Sequence, residues 1–138
     1  MKTCCLYLRI STKDKGQDVL NQKTPLLALA KSLGLEVVKV YCDTASGGNS
    51  NRPQFQAMLR DARAKKFGTI LVWSLDRFSR EGIVNNLSYL KKLKNHGVAL
   101  RSLQELWLDT SGEAMGELLI SILSWVAEQE RQKISERV

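Results

Sequence analysis

A chain of 138 residues with 43% hydrophobic side chains is long enough to bury one core and too apolar to stay disordered. It needs neither a disulfide nor a metal staple to fold, and its length fits one domain. Lys and Arg number 21 against 14 Asp and Glu, a formal charge of +7 that suits a polyanion, nucleic acid or an anionic membrane surface, without deciding between those and a basic protein that binds neither.

Residues 3–8, Thr-Cys-Cys-Leu-Tyr-Leu, read as a buried strand. Cys4 and Cys5 lie in this run; with Cys42 they make an odd number at no zinc-binding spacing, which fits buried thiols in a reducing cytosol. No apolar signal region opens the chain and no apolar stretch suffices for a bilayer span, so no membrane association is expected. A helix is expected from about Val19 to Leu33, stopped by Gly34, and then a strand from Val37 to Tyr41. Ala45 to Asn51 is a loop by composition, and Pro53 suits a first helical turn. Phe55, Met58, Leu59 and Ala62 fall at i, i+3, i+4 and i+7, one apolar face of a helix that Gly68 would stop. Thr69 to Trp73 is a third apolar strand.

Another helix is expected from about Gly82 to His96, with Ile83, Leu87, Leu90 and Leu93 on one face. His96, the single histidine, reads as a helix end capped by Gly97, a structural position. Val98 to Leu100 resumes a strand. This alternation argues for an α/β fold with a central, mostly parallel sheet flanked by helices. Thr110-Ser-Gly-Glu113 resembles a capping box opening a long helix that continues to Val138, so the chain divides into a core over residues 1–110 and a helix over 111–138. The helix is apolar on more than one side at first, with Met115, Leu118, Leu119, Ile122, Leu123, Trp125 and Val126, and charged at its end. A stripe that wide fits a second partner such as another copy of the chain; the other reading buries the helix wholly in its own domain.

The chemistry begins with exclusions. There is no Walker loop, no GxGxxG after the first strand and no HExxH. A Ser-His-Asp triad would need His96, which sits in a helix cap. Metal-dependent phosphoryl transfer wants several carboxylates at strand ends, and only Asp43 and Asp76 offer themselves, so no metal and no cofactor is expected. Instead, Arg9-Ile-Ser11 closes the first strand, Asp43 follows the second, Arg52 ends the next loop, and Leu75-Asp-Arg-Phe-Ser-Arg80 follows the third. In open parallel sheets the crevice beyond the carboxyl ends of the strands binds ligands, so Ser11, Asp43, Asp76, Arg77 and Arg80 should gather there with Arg52. Several guanidiniums can neutralise the charge that develops on a phosphodiester during displacement, in place of a metal. A serine alcohol in their field becomes a candidate nucleophile, and Asp76 can orient an arginine or pass a proton to the leaving oxygen.

These residues carry a resemblance to the resolvase/invertase group of serine recombinases. Tyr7-Leu-Arg-Ile-Ser-Thr12 resembles the family's nucleophile motif, with Gln17 and Gln22 similar to the glutamines that follow it. Tyr41-Cys-Asp-Thr-Ala-Ser-Gly47 continuing to Asn51-Arg-Pro53, then Leu71 to Arg80, then Gly112 to Glu117 and Glu128 to Arg137, resemble three further motifs in the family's order. The resemblance implies that Ser11 attacks a DNA phosphate to give a 5′-phosphoserine link and a free 3′-hydroxyl, rejoined without ATP or metal. By position, Arg9, Arg77, Arg80 and Arg52 would hold the phosphate, Asp76 would support Arg77 or the leaving group, and Gln17, Gln22 and Asp43 would shape the site. Arg131, Glu136 and Arg137 would meet DNA. The partners implied are double-stranded DNA and homodimers that assemble into a tetramer, with no small-molecule substrate.

Two departures stand out. The Ser11–Gln22 segment is longer than in simple resolvases, and the chain stops within the long helix, with no helix-turn-helix module in view, so a fragment of a longer protein is expected. A catalytically silent dimerisation module is the alternative, against which the joint presence of Arg9, Ser11, Arg77 and Arg80 argues. A phospho-receiver would want acidic residues at the first strand's end, where Arg9 and Ser11 stand.

Overall fold

A computed structural model describes residues 2–11, 15–45, 52–78, 83–105, 109 and 112–136. In chain order it has β1 (Thr3–Ser11), α1 (Lys15–Ser32), β2 (Glu36–Ala45), α2 (Pro53–Arg63), β3 (Thr69–Val72), α3 (Leu75–Phe78), α4 (Ile83–Asn95), β4 (Ala99–Ser102) and α5 (Glu113–Glu136). The strands form one sheet in the order β2-β1-β3-β4, and all three pairings are parallel. The α/β fold expected from the alternation is the one found.

Side chains of a strand alternate between faces, and both faces of this sheet are covered, which is why its strands read as unbroken apolar runs. Cys4, Leu6, Leu8, Ile10 and Leu71 pack under Leu26 and Ala30 of α1. Cys5, Tyr7, Tyr41, Ile70, Val72 and Leu100 pack on the opposite side with Phe55, Met58 and Ala62 of α2 and Leu87, Leu90 and Leu93 of α4. Leu123 and Ala127 of α5 join that second core from outside α4.

Helices α1, α2 and α4 end alike. In each, the second residue past the last turn donates its N–H back to a carbonyl five residues earlier: Leu35 to Ala30, Lys66 to Asp61, and Val98 to Leu93. Such an ending needs a left-handed residue just before, and Gly34 (φ 71°) and Gly97 (φ 74°) supply it without a Cβ clash. In α2 the position falls to Lys65 at φ 59°, so the helix stops before Gly68, the stop expected from the sequence. Helix α1 begins at Lys15, ahead of the expected Val19; its first turn, Lys15-Gly-Gln-Asp18, is without apolar side chains, so no apolar periodicity marks the start.

Helix α5 runs antiparallel to α4: Lys94 and Asn95 lie beside Glu117 and Ser121, while Leu87 and Ser88 lie beside Ser124 and Arg131. Leu119, Leu123 and Ala127 bury one stripe. Leu118, Ile122 and Trp125 form another that stays 49–65% exposed, so the helix is not wholly buried in its own domain. Thr110 and Ser111 of the expected capping box lie outside the described residues.

Candidate active site

Strand β1 outruns β3. Tyr7 faces Val72, the last residue of β3, whereas β2 accompanies β1 to its end, with Asp43 beside Arg9 and Ala45 beside Ser11. The backbone of β1 beyond Tyr7 therefore has a strand on one side only, and a buried carbonyl must find a partner elsewhere. The Arg9 carbonyl finds two. Gln22 of α1 donates from Nε2 at 2.9 Å, and Arg77 of α3 donates from Nη1 at 2.9 Å. Gln22, 2% exposed, also donates to Asp18 Oδ1 at 3.2 Å, and Asp18 Oδ2 lies 3.9 Å from Arg77 Nη1. A carboxylate, an amide and a guanidinium thus meet two residues before Ser11.

On the β2 side the organiser is Asp43, 5% exposed. Its carboxylate accepts the Tyr7 hydroxyl at 2.8 Å and the first free backbone N–H groups of α2, from Gln54 at 3.0 Å and Phe55 at 2.8 Å. It caps α2 from a neighbouring strand, where no side chain of Arg52 does so. Burial pushes the Tyr7 hydroxyl well above the usual phenol range, and the bond to Asp43 pushes it further, with Arg52 opposing both. Arg52 is itself buried: its guanidinium lies 3.6 Å over the Phe55 ring and donates from Nη1 to the Phe78 carbonyl at 2.6 Å.

Arg77 and Asp76 ride on α3, a single turn. Ser74 caps it by accepting Arg77 N–H on its hydroxyl at 3.2 Å. Glu105, beyond β4, accepts the Leu75 N–H at 3.1 Å. Phe78 anchors the other end, fully buried and edge-on to Phe55 and Tyr89.

The geometry therefore brings together Arg9, Gln22, Asp43, Arg52 and Arg77. Ser11 ends β1 and Asp76 lies within α3, but their side chains lie outside the described part, as does that of Glu136 at the end of α5. Arg80 and Arg137 lie outside the described residues. Gln17 sits on the exposed side of α1, bonded to Asn21 of its own helix, apart from the cluster. Arg131 is exposed and pairs with Glu128 one turn back at 2.9 Å. Among the described residues no group of His, Cys, Asp or Glu is arranged to hold a metal, and no helix is long and apolar enough to cross a membrane.

Sequence reasoning missed Tyr7, Asp18 and Glu105. Tyr7 lies two residues before Arg9, on the strand period, and Asp18 four before Gln22, on the helical one, so both carried a signal. Glu105 carried none, since its partner lies 30 residues away.

The frame of the site is a four-stranded parallel sheet with a long final helix, with Arg52 and Arg77 held near the end where Ser11 closes β1. The chain belongs to the resolvase family: the model of the resolvase N-terminal domain matches residues 4–138. The serine recombinase Gin of Escherichia phage Mu is 33% identical over 131 residues, 95% of this chain and 61% of Gin. The chain thus spans less than two thirds of that relative's length. Among solved structures, the N-terminal catalytic domain of TP901-1 integrase is 33% identical with a TM-score of 0.80, covering 95% of this chain and 98% of that one. A resolvase family site-specific recombinase from Streptococcus pneumoniae is 31% identical with a TM-score of 0.85, covering 99% and 93%.

Proposed function

We propose that this chain is the catalytic domain of a recombinase that breaks and rejoins DNA through Ser11. The observation that carries the reading is the convergence of Arg77 and Gln22 on the carbonyl of Arg9, two residues before Ser11, at the carboxyl edge of a resolvase-family sheet. The Ser11 alcohol gives up its proton and its oxygen bonds to phosphorus. The bond from phosphorus to the 3′ oxygen breaks, and that oxygen takes up a proton to leave a 3′-hydroxyl and a 5′-phosphoserine link. Reversal rejoins the strand without ATP, because the phosphodiester energy is held in the serine ester.

Arg9, Arg77 and Arg80 hold the phosphate in this scheme. Arg77 uses one N–H on the Arg9 carbonyl and keeps the rest of its fork for phosphate oxygens. Arg52 stacks on Phe55 and donates one N–H to the Phe78 carbonyl, so it adds to the phosphate site only through the N–H groups these contacts leave over. Asp76 supports Arg77 or the leaving oxygen, Gln22 and Asp43 set the frame, and Gln17 joins them only on leaving Asn21. Double-stranded DNA is the substrate, with Arg131, Glu136 and Arg137 along its path. The exposed stripe of Leu118, Ile122 and Trp125 fits a second copy of the chain, and two such dimers make the tetramer in which strands exchange.

The test is to trap the covalent link on a nicked duplex carrying the recombination site, using the protein and its Ser11→Ala variant. The protein should give an adduct on a denaturing gel and the variant none. Equal absence of adduct from both, with the site demonstrably bound, would favour a silent binding module and sink the proposal.

A further inference from the structure

We propose that Glu105 is a positioning residue for cleavage: it fixes the amino end of α3, and through it Asp76 and Arg77, to the end of β4. The inference rests on the reading of Arg77 as a phosphate ligand. Helix α3 has four residues, and its internal bond runs from the Phe78 N–H to the Ser74 carbonyl at 3.0 Å. A turn that short does not persist by itself, because one hydrogen bond does not offset the entropy of ordering it. Its place is set by what holds its ends.

The carboxyl end is held by the buried Phe78 ring and by Arg52 on the Phe78 carbonyl. At the amino end Ser74 acts locally, but it moves with the turn it caps. Among the described residues, Glu105 supplies the side chain of another element that bonds the first N–H of the turn. Its carboxylate accepts the Leu75 N–H, 3.1 Å from Oε1 and 3.4 Å from Oε2. The same carboxylate is held on the sheet by Ser102, the 2%-exposed last residue of β4, whose hydroxyl donates to Oε2 at 2.5 Å and accepts the Glu105 N–H at 3.3 Å.

The backbone brings the two sites together. Leu103 N–H bonds the Val72 carbonyl at 3.0 Å and Gln104 N–H bonds that of Trp73 at 2.9 Å, continuing the β3–β4 pairing past both strands to the point where residue 105 meets residue 75. Among the described residues Glu105 forms no ion pair; its carboxylate serves hydrogen bonds only. From Leu75 the path to chemistry is short: two residues on, Arg77 reaches the Arg9 carbonyl. A shift of about 1 Å in a reacting constellation can cost on the order of 100-fold in rate.

Single-turnover adduct formation on the nicked duplex, at saturating DNA, tests this, alongside DNA affinity and thermal midpoint. Glu105→Ala should slow adduct formation between about 10- and 100-fold, with affinity within about threefold of the parent. Glu105→Gln, whose amide oxygen still accepts the Leu75 N–H, should recover the rate to within about fivefold. If Glu105→Ala fails to fold, Ser102→Ala, which removes one support of the carboxylate, should slow the rate without weakening binding. A parental rate in Glu105→Ala (or in Ser102→Ala where that is the usable variant) overturns the inference, as does a Glu105→Gln rate no better than that of alanine. Absence of adduct from the parent protein would instead sink the nucleophile reading itself, so the two failures are distinguishable.

Discussion

The two ends of the sheet are both rich in cations and use them differently. At the amino end, helices stop, and their last turns carry Lys31 in α1, Arg60 and Arg63 in α2, and Lys92 and Lys94 in α4. Lys31, Arg60, Arg63 and Lys92 stand exposed, as do Lys65 and Lys66 just beyond α2. Positive charge at a helix carboxyl end complements the macrodipole, for a few tenths of a kcal/mol to about 1 kcal/mol each. Asp61 gathers two of the neighbouring lysines, Lys66 at 3.2 Å and Lys39 at 3.6 Å. Its carboxyl is held below the usual carboxylate range by the Tyr41 hydroxyl first and by those lysines after it.

At the carboxyl end, among the described residues, two guanidiniums are held on backbone carbonyls: Arg52 on that of Phe78 and Arg77 on that of Arg9. The difference shows why a formal charge of +7 could suggest a polyanionic partner yet not locate its site. Net charge sums both ends; the proposed chemistry depends on guanidiniums fixed in advance at one of them.

The largest effect is expected from Arg77→Ala. Losing one preorganised charge donor typically costs about 100- to 1,000-fold in rate, so single-turnover adduct formation should fall by that order. The fold should survive, since Arg77 is 29% exposed and its carbonyl partner keeps Gln22. A folded variant that cleaves within threefold of the parent would remove Arg77 from the site.

Asp43→Ala should act on stability. It strands the Tyr7 hydroxyl and two helix N–H groups in a buried place, at about 2–4 kcal/mol in total. A thermal midpoint lowered by roughly 10 °C is the expected reading. A drop under about 2 °C would show that water replaces the carboxylate easily and that Asp43 is no organiser.

The smallest effect belongs to the amino end. Replacing Arg63 and Lys66 together by alanine should change stability by less than about 1 kcal/mol, as for exposed charges and surface ion pairs. It should leave adduct formation at saturating DNA within twofold. A tenfold loss there would break the contrast between the two ends.

Much of this arrangement was legible in the sequence. The strands announced themselves as apolar runs, and Gly34 and Gly97 marked two helix ends. The site's skeleton followed from one rule, that strand ends of a parallel sheet converge. What escaped had physical reasons. Lys65 occupies a left-handed position that sequence reading assigns to glycine. Asp43 looked like a site-lining acid, and its capping of α2 depends on an 11-residue separation that no local pattern encodes. The burial of Arg52 on Phe55 and Phe78 is a tertiary event, invisible in a loop-end arginine. The double stripe on α5 was legible as excess apolarity, and only packing against α4 showed which half stays open.

The proposed covalent link places the DNA on Ser11. Digest the trapped adduct with a protease and a nuclease, and read the mass of the nucleotide-bearing peptide by fragmentation. A nucleotide 5′-phosphate on Ser11 is expected. The same mass placed on any other residue, in a digest that covers Ser11 unmodified, would contradict it.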